Sequence, residues 1–406
     1  MKINWSKYFP LTVLLGCVFS LGIFVGQNFN LPFGKAPFSL NANEGVKIFN
    51  KEANKSIDFS LFWKVWDELE KQYVNKKAID SEKMLYGAIS GMTSSLGDPY
   101  TTFLDPSQNK EFDGELSGTY EGVGIQLGFK DKQLVVMAPL AGTPAESAGV
   151  KAGDLIIKIS DKDTVGMTLP EAVTLIRGPA GTSIKLTMLH LGGDKPYDAS
   201  ITREKIKVKS VELTRKDGDI AYVKLSRFGD TTNDEWDSVI KEVSSANYKG
   251  MVLDLRNNPG GHLQSAVYIA SEFLKKDEVV VQEEASDGSR ELLKVNRDGK
   301  LLEIPLTVLI NKGSASASEI VSGALADHQR ATLVGEDSFG KGTVQAVEEF
   351  ENGAGLHVTV AKWLTPNGTW VNEKGLSPNV KVTLSTDDVN TGKDPQLDKT
   401  LELLKK

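Results

Sequence analysis

The run Pro305-Leu306-Thr307-Val308-Leu309-Ile310 constrains the fold more than any other stretch of the chain. It is continuously apolar and carries β-branched residues, the pattern of a strand covered on both faces, as parallel strands are. Directly after it, Ile320, Val321, Ala324 and Leu325 recur at helical spacing, so a buried strand hands over to a helix across residues 313–318. Strands predicted at 220–225 and 250–255 flank a helix predicted at 234–243, and that succession is a βαβ unit. The second half of the chain is therefore expected to be an α/β structure.

The handover carries Gly313-Ser314-Ala315-Ser316-Ala317-Ser318-Glu319-Ile320, and 25 residues beyond Ser316 stands Lys341, in Phe339-Gly340-Lys341-Gly342-Thr343-Val344-Gln345. These are the parts of a serine nucleophile with lysine as its base. A serine hydroxyl needs a neighbour to take its proton, and a lysine does so only when neutral. At an ordinary pKa of about 10.4, under roughly one lysine in a thousand is neutral at pH 7. Lowering that value to about 7–8 costs the ammonium form roughly 4 kcal/mol, which a desolvated, apolar site can impose. Phe339 and Val344 flank Lys341, no acid stands within three residues, and two glycines let backbone crowd in. Among the alternating serines, Ser316 with Glu319 matches the S-x-x-E capping box, which places Ser316 at the N-cap of the helix. The free N–H groups of the first turn, Ala317's above all, then lie where they can stabilise an oxyanion. The plain alternative is that Ser316 is only a cap.

A second donor is expected from Val252-Leu253-Asp254-Leu255-Arg256-Asn257-Asn258-Pro259-Gly260-Gly261, where Gly260 and Gly261 can present N–H groups with no side chain in the way. Asn-Pro-Gly-Gly is also ordinary turn chemistry. Of the four histidines, His262 or His328 with Asp254 leaves a Ser/His/Asp arrangement open, although no G-x-S-x-G elbow accompanies them. Ser107-x-x-Lys110 fits a shorter Ser/Lys pattern but lies in a polar stretch and reads as linker. Gly335 to Lys341 matches a phosphate loop until Gly342 occupies the magnesium-binding Ser/Thr position, and no helix pattern follows to hold phosphate, so no nucleotide cofactor is expected. There is no H-E-x-x-H, and one cysteine, Cys17, excludes a Cys-rich zinc site, so no metal is expected either.

Three motifs in order, Asp254-Leu255-Arg256 to Gly261, the Ser/Ala run with Glu319, and Gly340-Lys341-Gly342-Thr343-Val344-Gln345, resemble the carboxyl-terminal processing (tail-specific) serine peptidases, over residues 59–382. The resemblance implies Ser316 as nucleophile, Lys341 as general base and Gln345 as the residue that orients the lysine. Gln345 lies four after Lys341 on an alternating segment, so in a strand both would share one face. The resemblance also allows Asp327 a charge-relay role, although it falls about 16 Å along the helix from Ser316 and reads as well as a surface charge. The implied fold is a crotonase-like or Clp-protease-like α/β core.

Residues 114–206 look like an inserted, mainly-β PDZ domain. Glu121-Gly122-Val123-Gly124-Ile125-Gln126-Leu127 joins a glycine loop to a strand, and in such domains the loop amides hold a peptide's terminal carboxylate while the peptide adds as an edge strand. Gly122, Val123, Gly124 and Ile125 are the expected peptide-binding residues. Ile125, Leu127, Ala172 and Leu175 either meet apolar ligand side chains or belong to the core. Arg177 is a candidate for coupling this domain to the peptidase core.

From Tyr8 to Gly26 there are 19 uncharged residues preceded by Lys2 and Lys7. As a helix they span about 28 Å, enough for a bilayer, with the N-terminus inside; a cleaved signal is the alternative. The expected layout is a stub and transmembrane anchor at 1–30, a tether at 31–56, a helical segment at 57–113, the PDZ domain at 114–206, the Ser/Lys core at 207–385 and a C-terminal helix within 386–406. The formal net charge of −7 comes without a basic block, so nucleic acid is not an expected partner. Apolar C-terminal tails of proteins and the membrane are. A homo-oligomer or an activating adaptor stays open. The expected function is a membrane-anchored, extracytoplasmic serine endopeptidase that needs no cofactor. The alternatives are an inactive scaffold that binds protein C-termini and a hydratase or isomerase on the same core.

Overall fold

The computed structural model describes residues 58–130, 133–190 and 192–405. The expected anchor at 1–30 and the whole tether at 31–56 thus lie outside the described residues. Among the described residues, no helix is long and apolar enough to cross a membrane. The described residues fall into two compact units, divided between Ile79 and Asp80. In the first, the helix Ser60–Gln72 carries Leu61, Val65 and Leu69 at helical spacing and is followed by a short 3-10 turn, Lys76–Ala78.

The second unit opens with the helix Ser81–Ser94, whose N-cap Asp80 accepts from the Glu82 and Lys83 N–H groups. After a turn through residues 97–101 come the strand Thr102–Leu104 and the helix Pro106–Ser117. Ser107 and Lys110 therefore sit in the first turns of a helix, not in a linker. Asp105 as N-cap, reciprocated by Gln108, and Pro106 at the first helical position start a helix despite its polar composition.

Next comes a mainly-β body. Its sheet runs in spatial order Ile125–Lys130, Gln133–Pro139, Leu155–Ile159, Ser183–Leu189 and Tyr197–Thr202, all antiparallel. The helix Leu169–Ile176 packs on it around Val136, Ile156, Leu186 and Met188. Entry and exit strands, Thr119–Gly122 and Glu204–Lys207, pair antiparallel, so the body is inserted through one two-stranded neck.

The core sheet runs Val211–Lys216, Ile220–Leu225, Gly250–Asp254, Leu306–Ile310, Thr332–Gly335 and Val380–Lys381, parallel throughout except for its first strand. Alternate residues of these strands face two apolar layers, which is why Leu306–Ile310 is buried along its whole length. Val308 and Ile310 join Trp236, Phe273 and Val321 beneath the helices Thr232–Ser245, Leu263–Ala270 and Ala317–Asp327. Leu309, Val252 and Val334 meet Leu397, Leu401 and Leu404 of the C-terminal helix Pro395–Leu404. Arg256 fastens that helix, donating to Asp394 at 2.8 Å and to Asp254 at 2.6 Å. Antiparallel to one another, the strands Thr102–Leu104, Val279–Ala285, Arg290–Lys294, Thr343–Glu349 and Gly355–Leu364 form a separate sheet beside the end of this core.

Candidate active site

Ser316 stands at the N-cap of the helix Ala317–Asp327, just past the central strand Leu306–Ile310. Its backbone has φ 53° and ψ −114°, a left-handed conformation that costs a residue with a side chain about 1–3 kcal/mol. The Glu319 carboxylate accepts from the Ser316 N–H at 2.9 Å, so the reach-back half of the expected capping box forms. The neighbouring serines have other work. Ser314 Oγ donates to Leu255 O at 2.8 Å and Ser318 Oγ donates to Asn258 O at 2.9 Å, and both side chains are fully buried. Only Ser316 of the three is partly exposed.

The glycine turn lies directly against this residue. A Cβ on Gly260 would stand 2.9 Å from Ser316 Cβ and 3.0 Å from the Ala317 nitrogen, and Gly260 has φ 102°, so glycine is required there twice over. Its N–H is already donated to Asn258 Oδ1 at 2.9 Å, so Gly260 serves the site by its missing side chain and not as a donor. The N–H groups of Gly261 and Ala317 have no acceptor among the described residues. Asn258 stitches the two turns: its carbonyl accepts from the Ala315 N–H at 3.0 Å, and its side chain donates to Leu225 O at 2.8 Å.

Lys341 is in the loop between the strands Thr332–Gly335 and Thr343–Glu349. Its carbonyl accepts from the Trp363 indole at 2.7 Å. Nζ lies 5.0 Å from the centroid of the Tyr100 ring and forms no hydrogen bond with Ser316 among the described residues. Burial pushes its amine below the ordinary lysine value, against an opposing pull from the Asp98 carboxylate. The apolar cover differs from the sequence expectation. Phe339 is 54% exposed, and the desolvating ring is that of Tyr100, far away in sequence.

Asp98 and Tyr100 belong to the turn that follows the helix Ser81–Ser94. Asp98 accepts from the Tyr100 N–H at 3.0 Å and from Thr101 Oγ1 at 2.7 Å, and Thr101 Oγ1 accepts from the Thr359 N–H at 3.1 Å. Burial opposes the Asp98 charge, but hydrogen bonds from Thr359, Thr101 and the Tyr100 amide outweigh it and hold the carboxyl below the usual range. Gly97-Asp98-Pro99-Tyr100-Thr101 is an unremarkable turn in sequence, and nothing local marks it as a neighbour of Lys341.

Gln345 forms no hydrogen bond with the Lys341 side chain among the described residues. Its Nε2 donates to Thr343 Oγ1 at 2.9 Å and to Thr359 Oγ1 at 3.1 Å. The shared-face expectation fails because the strand begins only at Thr343 and its register shifts between Val344 and Gln345. Asp327 is at the far end of its helix and accepts from the Asn367 N–H at 2.8 Å, which is the surface-charge reading. His262 Nε2 pairs with Asp230 at 2.8 Å and His328 Nε2 with Val279 O at 2.8 Å, while Asp254 holds Arg256 and accepts from the Tyr222 hydroxyl. No imidazole contacts Ser316 among the described residues.

In the inserted body, the strand Ile125–Lys130 ends the sheet, so one of its edges is unpaired. A cleft of about 420 Å³ runs along it, bounded by Gly124, Ile125 and Leu127 on one side and Val173, Ile176 and Arg177 on the other. The carbonyls of Val123 and Gly124 accept inward, from the Ala145 and Leu140 N–H groups, while their own N–H groups have no acceptor among the described residues. Gly124 must be glycine, since φ is 81° and a Cβ would lie 2.4 Å from Thr143. Ala172 is core with no exposure, and Leu175 packs against the core; the helix residues that line the cleft are one position on from each. The Arg177 guanidinium lies over the Tyr120 ring, 4.9 Å from its centroid.

Comparison with known proteins agrees with this layout. The model of peptidase family S41 matches residues 219–382, a PDZ-domain model residues 135–189, and a model of the N-terminal domain of the activating protease CtpB residues 26–108. The chain is 40% identical over 326 residues to the carboxy-terminal processing protease CtpA of Bacillus subtilis, covering 80% of this chain and 69% of that protein. It is 42% identical over 342 residues to the carboxy-terminal-processing protease of Bartonella bacilliformis, covering 82% and 77%. A crystal structure of a protein described as an S41 protease of Bacteroides fragilis superposes with a TM-score of 0.57 over 84% of this chain and 96% of that one, at 16% identity, which is a likeness of fold.

Proposed function

The chain belongs to the carboxy-terminal processing proteases of peptidase family S41, and from that premise we propose that it cleaves protein substrates near their C-terminal tails by a Ser316/Lys341 mechanism. Neutral Lys341 takes the Ser316 proton, and Oγ attacks the scissile carbonyl carbon. The Ala317 and Gly261 N–H groups hold the resulting oxyanion. On collapse the C–N bond breaks and the proton passes from Nζ to the departing amine. Water, deprotonated by the same amine, then attacks the acyl-enzyme and frees Ser316. Nζ forms no hydrogen bond with Ser316 among the described residues, so it has to shift to reach the hydroxyl. Gln345 acts on the lysine at one remove, through Thr359 and the Asp98 turn.

The observation that carries this reading is the placement of Lys341: half-buried with Nζ against the Tyr100 ring, without a salt bridge among the described residues, so that burial pushes its amine below the ordinary lysine value. Tail selection falls to the PDZ cleft, where the free amides of Val123 and Gly124 suit a terminal carboxylate and the open edge of Ile125–Lys130 suits an added strand. Residues 8–26 would anchor the enzyme, with its catalytic part outside the cytoplasm.

A fluorophosphonate that reacts with activated serines tests the chemistry. It should label the wild type at Ser316, with a rate that rises with pH through a midpoint below the ordinary lysine value, and should leave Ser316→Ala and Lys341→Ala unlabelled. Labelling that survives Lys341→Ala would end the base assignment, and no labelling of the wild type would favour a tail-binding scaffold.

A further inference from the structure

The nucleophile and the base come from separate segments, and one side chain touches the backbone of both. Glu319 is completely buried. Its Oε2 accepts from the Ser316 N–H and from the Lys341 N–H, each at 2.9 Å. Its Oε1 accepts from the Gly340 N–H at 2.7 Å and from Ser338 Oγ at 2.5 Å. Two such bonds to one oxygen keep the two backbone nitrogens within about 6 Å of each other. A capping glutamate needs only the first of these contacts. The other three all go to residues 338–341, the loop that presents the lysine.

We propose that Glu319 is a positioning residue: its carboxylate is the joint that sets the distance between the Ser316 turn and the Lys341 loop, and so the rate at which the proton passes between them. This rests on the Ser/Lys reading. Nothing covalent is asked of Glu319. Each of its oxygens accepts from two donors, so a carboxylate fits and an amide does not. Glu319→Gln, whichever way it turns, sets an NH2 against two donor groups. Strand and helix still fix Ser316, whereas the irregular Lys341 loop loses its three bonds to Glu319 and keeps those with Trp363, Ser314 and Glu373, so the lysine is what moves. Misplacement by roughly 1 Å is enough to slow a reaction about 100-fold.

The experiment is fluorophosphonate labelling of the full-length protein, resolved into the maximal rate kinact and the affinity KI, with unfolding midpoints measured alongside. Wild type and Ser316→Ala come first; labelling of Ser316→Ala at the wild-type rate would overturn the Ser/Lys reading itself. With that control intact, Glu319→Gln should lower kinact about 100-fold with KI unchanged, counted per folded molecule. A kinact within about threefold of wild type, with only the unfolding midpoint lowered, makes Glu319 a structural cap and overturns the proposal. Should Glu319→Gln fail to fold, Ser338→Ala decides, because it removes one donor to Oε1 and leaves the carboxylate in place. Its kinact should fall about 3- to 10-fold at constant KI, and an unchanged kinact overturns the proposal.

Discussion

The Ser316 turn and the Lys341 loop place one reactive group each, by opposite means. The first is built from regular structure: a fully buried central strand leads in, a helix leads out, and Asn258 and Gly260 close against it. The second has no helix or strand through the lysine itself, and depends on Glu319, Trp363 and Tyr100, three residues from three other parts of the chain. A nucleophile tolerates a rigid mount. A base that must shed its proton and regain it has to sit where its surroundings, more than its own segment, decide its charge.

The largest effect should come from removing the base. Lys341→Ala is expected to lower kcat on a tailed reporter protein by about 10⁴-fold or more while the protein keeps its fold, as read by kcat and circular dichroism. Next, Gly124→Val should block the loop that receives the carboxylate. KM for a reporter with an apolar tail should rise about tenfold, while fluorophosphonate labelling of Ser316 is unaffected. Equal KM values would separate the cleft from substrate selection.

Asp98→Asn sharpens the contrast further. Asp98 holds the Lys341 pKa up, so removing its charge lets burial lower that value more, and the pH midpoint of labelling should move toward acid. The maximal rate should fall about tenfold at most, through the loosened Tyr100 turn. A midpoint that moves toward alkali would contradict the proximity of the two groups.

Stability should follow the same charge. In the folded protein Lys341 has a pKa below its ordinary 10.5, so the folded state releases its proton before the unfolded state does. The penalty for the buried ammonium is then complete below the folded value, shrinks as pH rises through it, and vanishes above the unfolded value. Lys341→Met should therefore unfold at a higher temperature than wild type near neutrality, with the gap closing toward pH 10.5. Smallest of all, Asp327→Asn should leave kcat within about twofold, since its carboxylate serves a surface loop.

The same contrast explains what could be read in the sequence. The strand at 306–310, each strand and the helix of the βαβ unit, the serine at a helix start and the glycine loop of the PDZ domain are signals held within about a dozen residues, and each formed where its pattern placed it. The surroundings of Lys341 were legible only as a need for dryness. Phe339, the local candidate, faces solvent, and the ring that covers the amine lies more than two hundred residues upstream. Gln345 was misplaced because period-2 alternation assumes an unbroken strand, and neither the late start at Thr343 nor the shifted register shows in composition. Glu319 was visible as a helix-start residue, but its bonds to residues 338–341 exist only once the sheet has brought the loop back.

The backbone angle of Ser316 has a consequence for how this protein can change over time. At φ 53° the position suits glycine better than any residue with a Cβ, and glycine is a serviceable N-cap, so Ser316→Gly should raise the unfolding temperature through a gain of about 1 kcal/mol while ending hydrolysis. The hydroxyl is thus kept against a standing thermodynamic preference. A descendant of this chain released from the need to hydrolyse peptides would have a downhill mutation waiting at its most important residue.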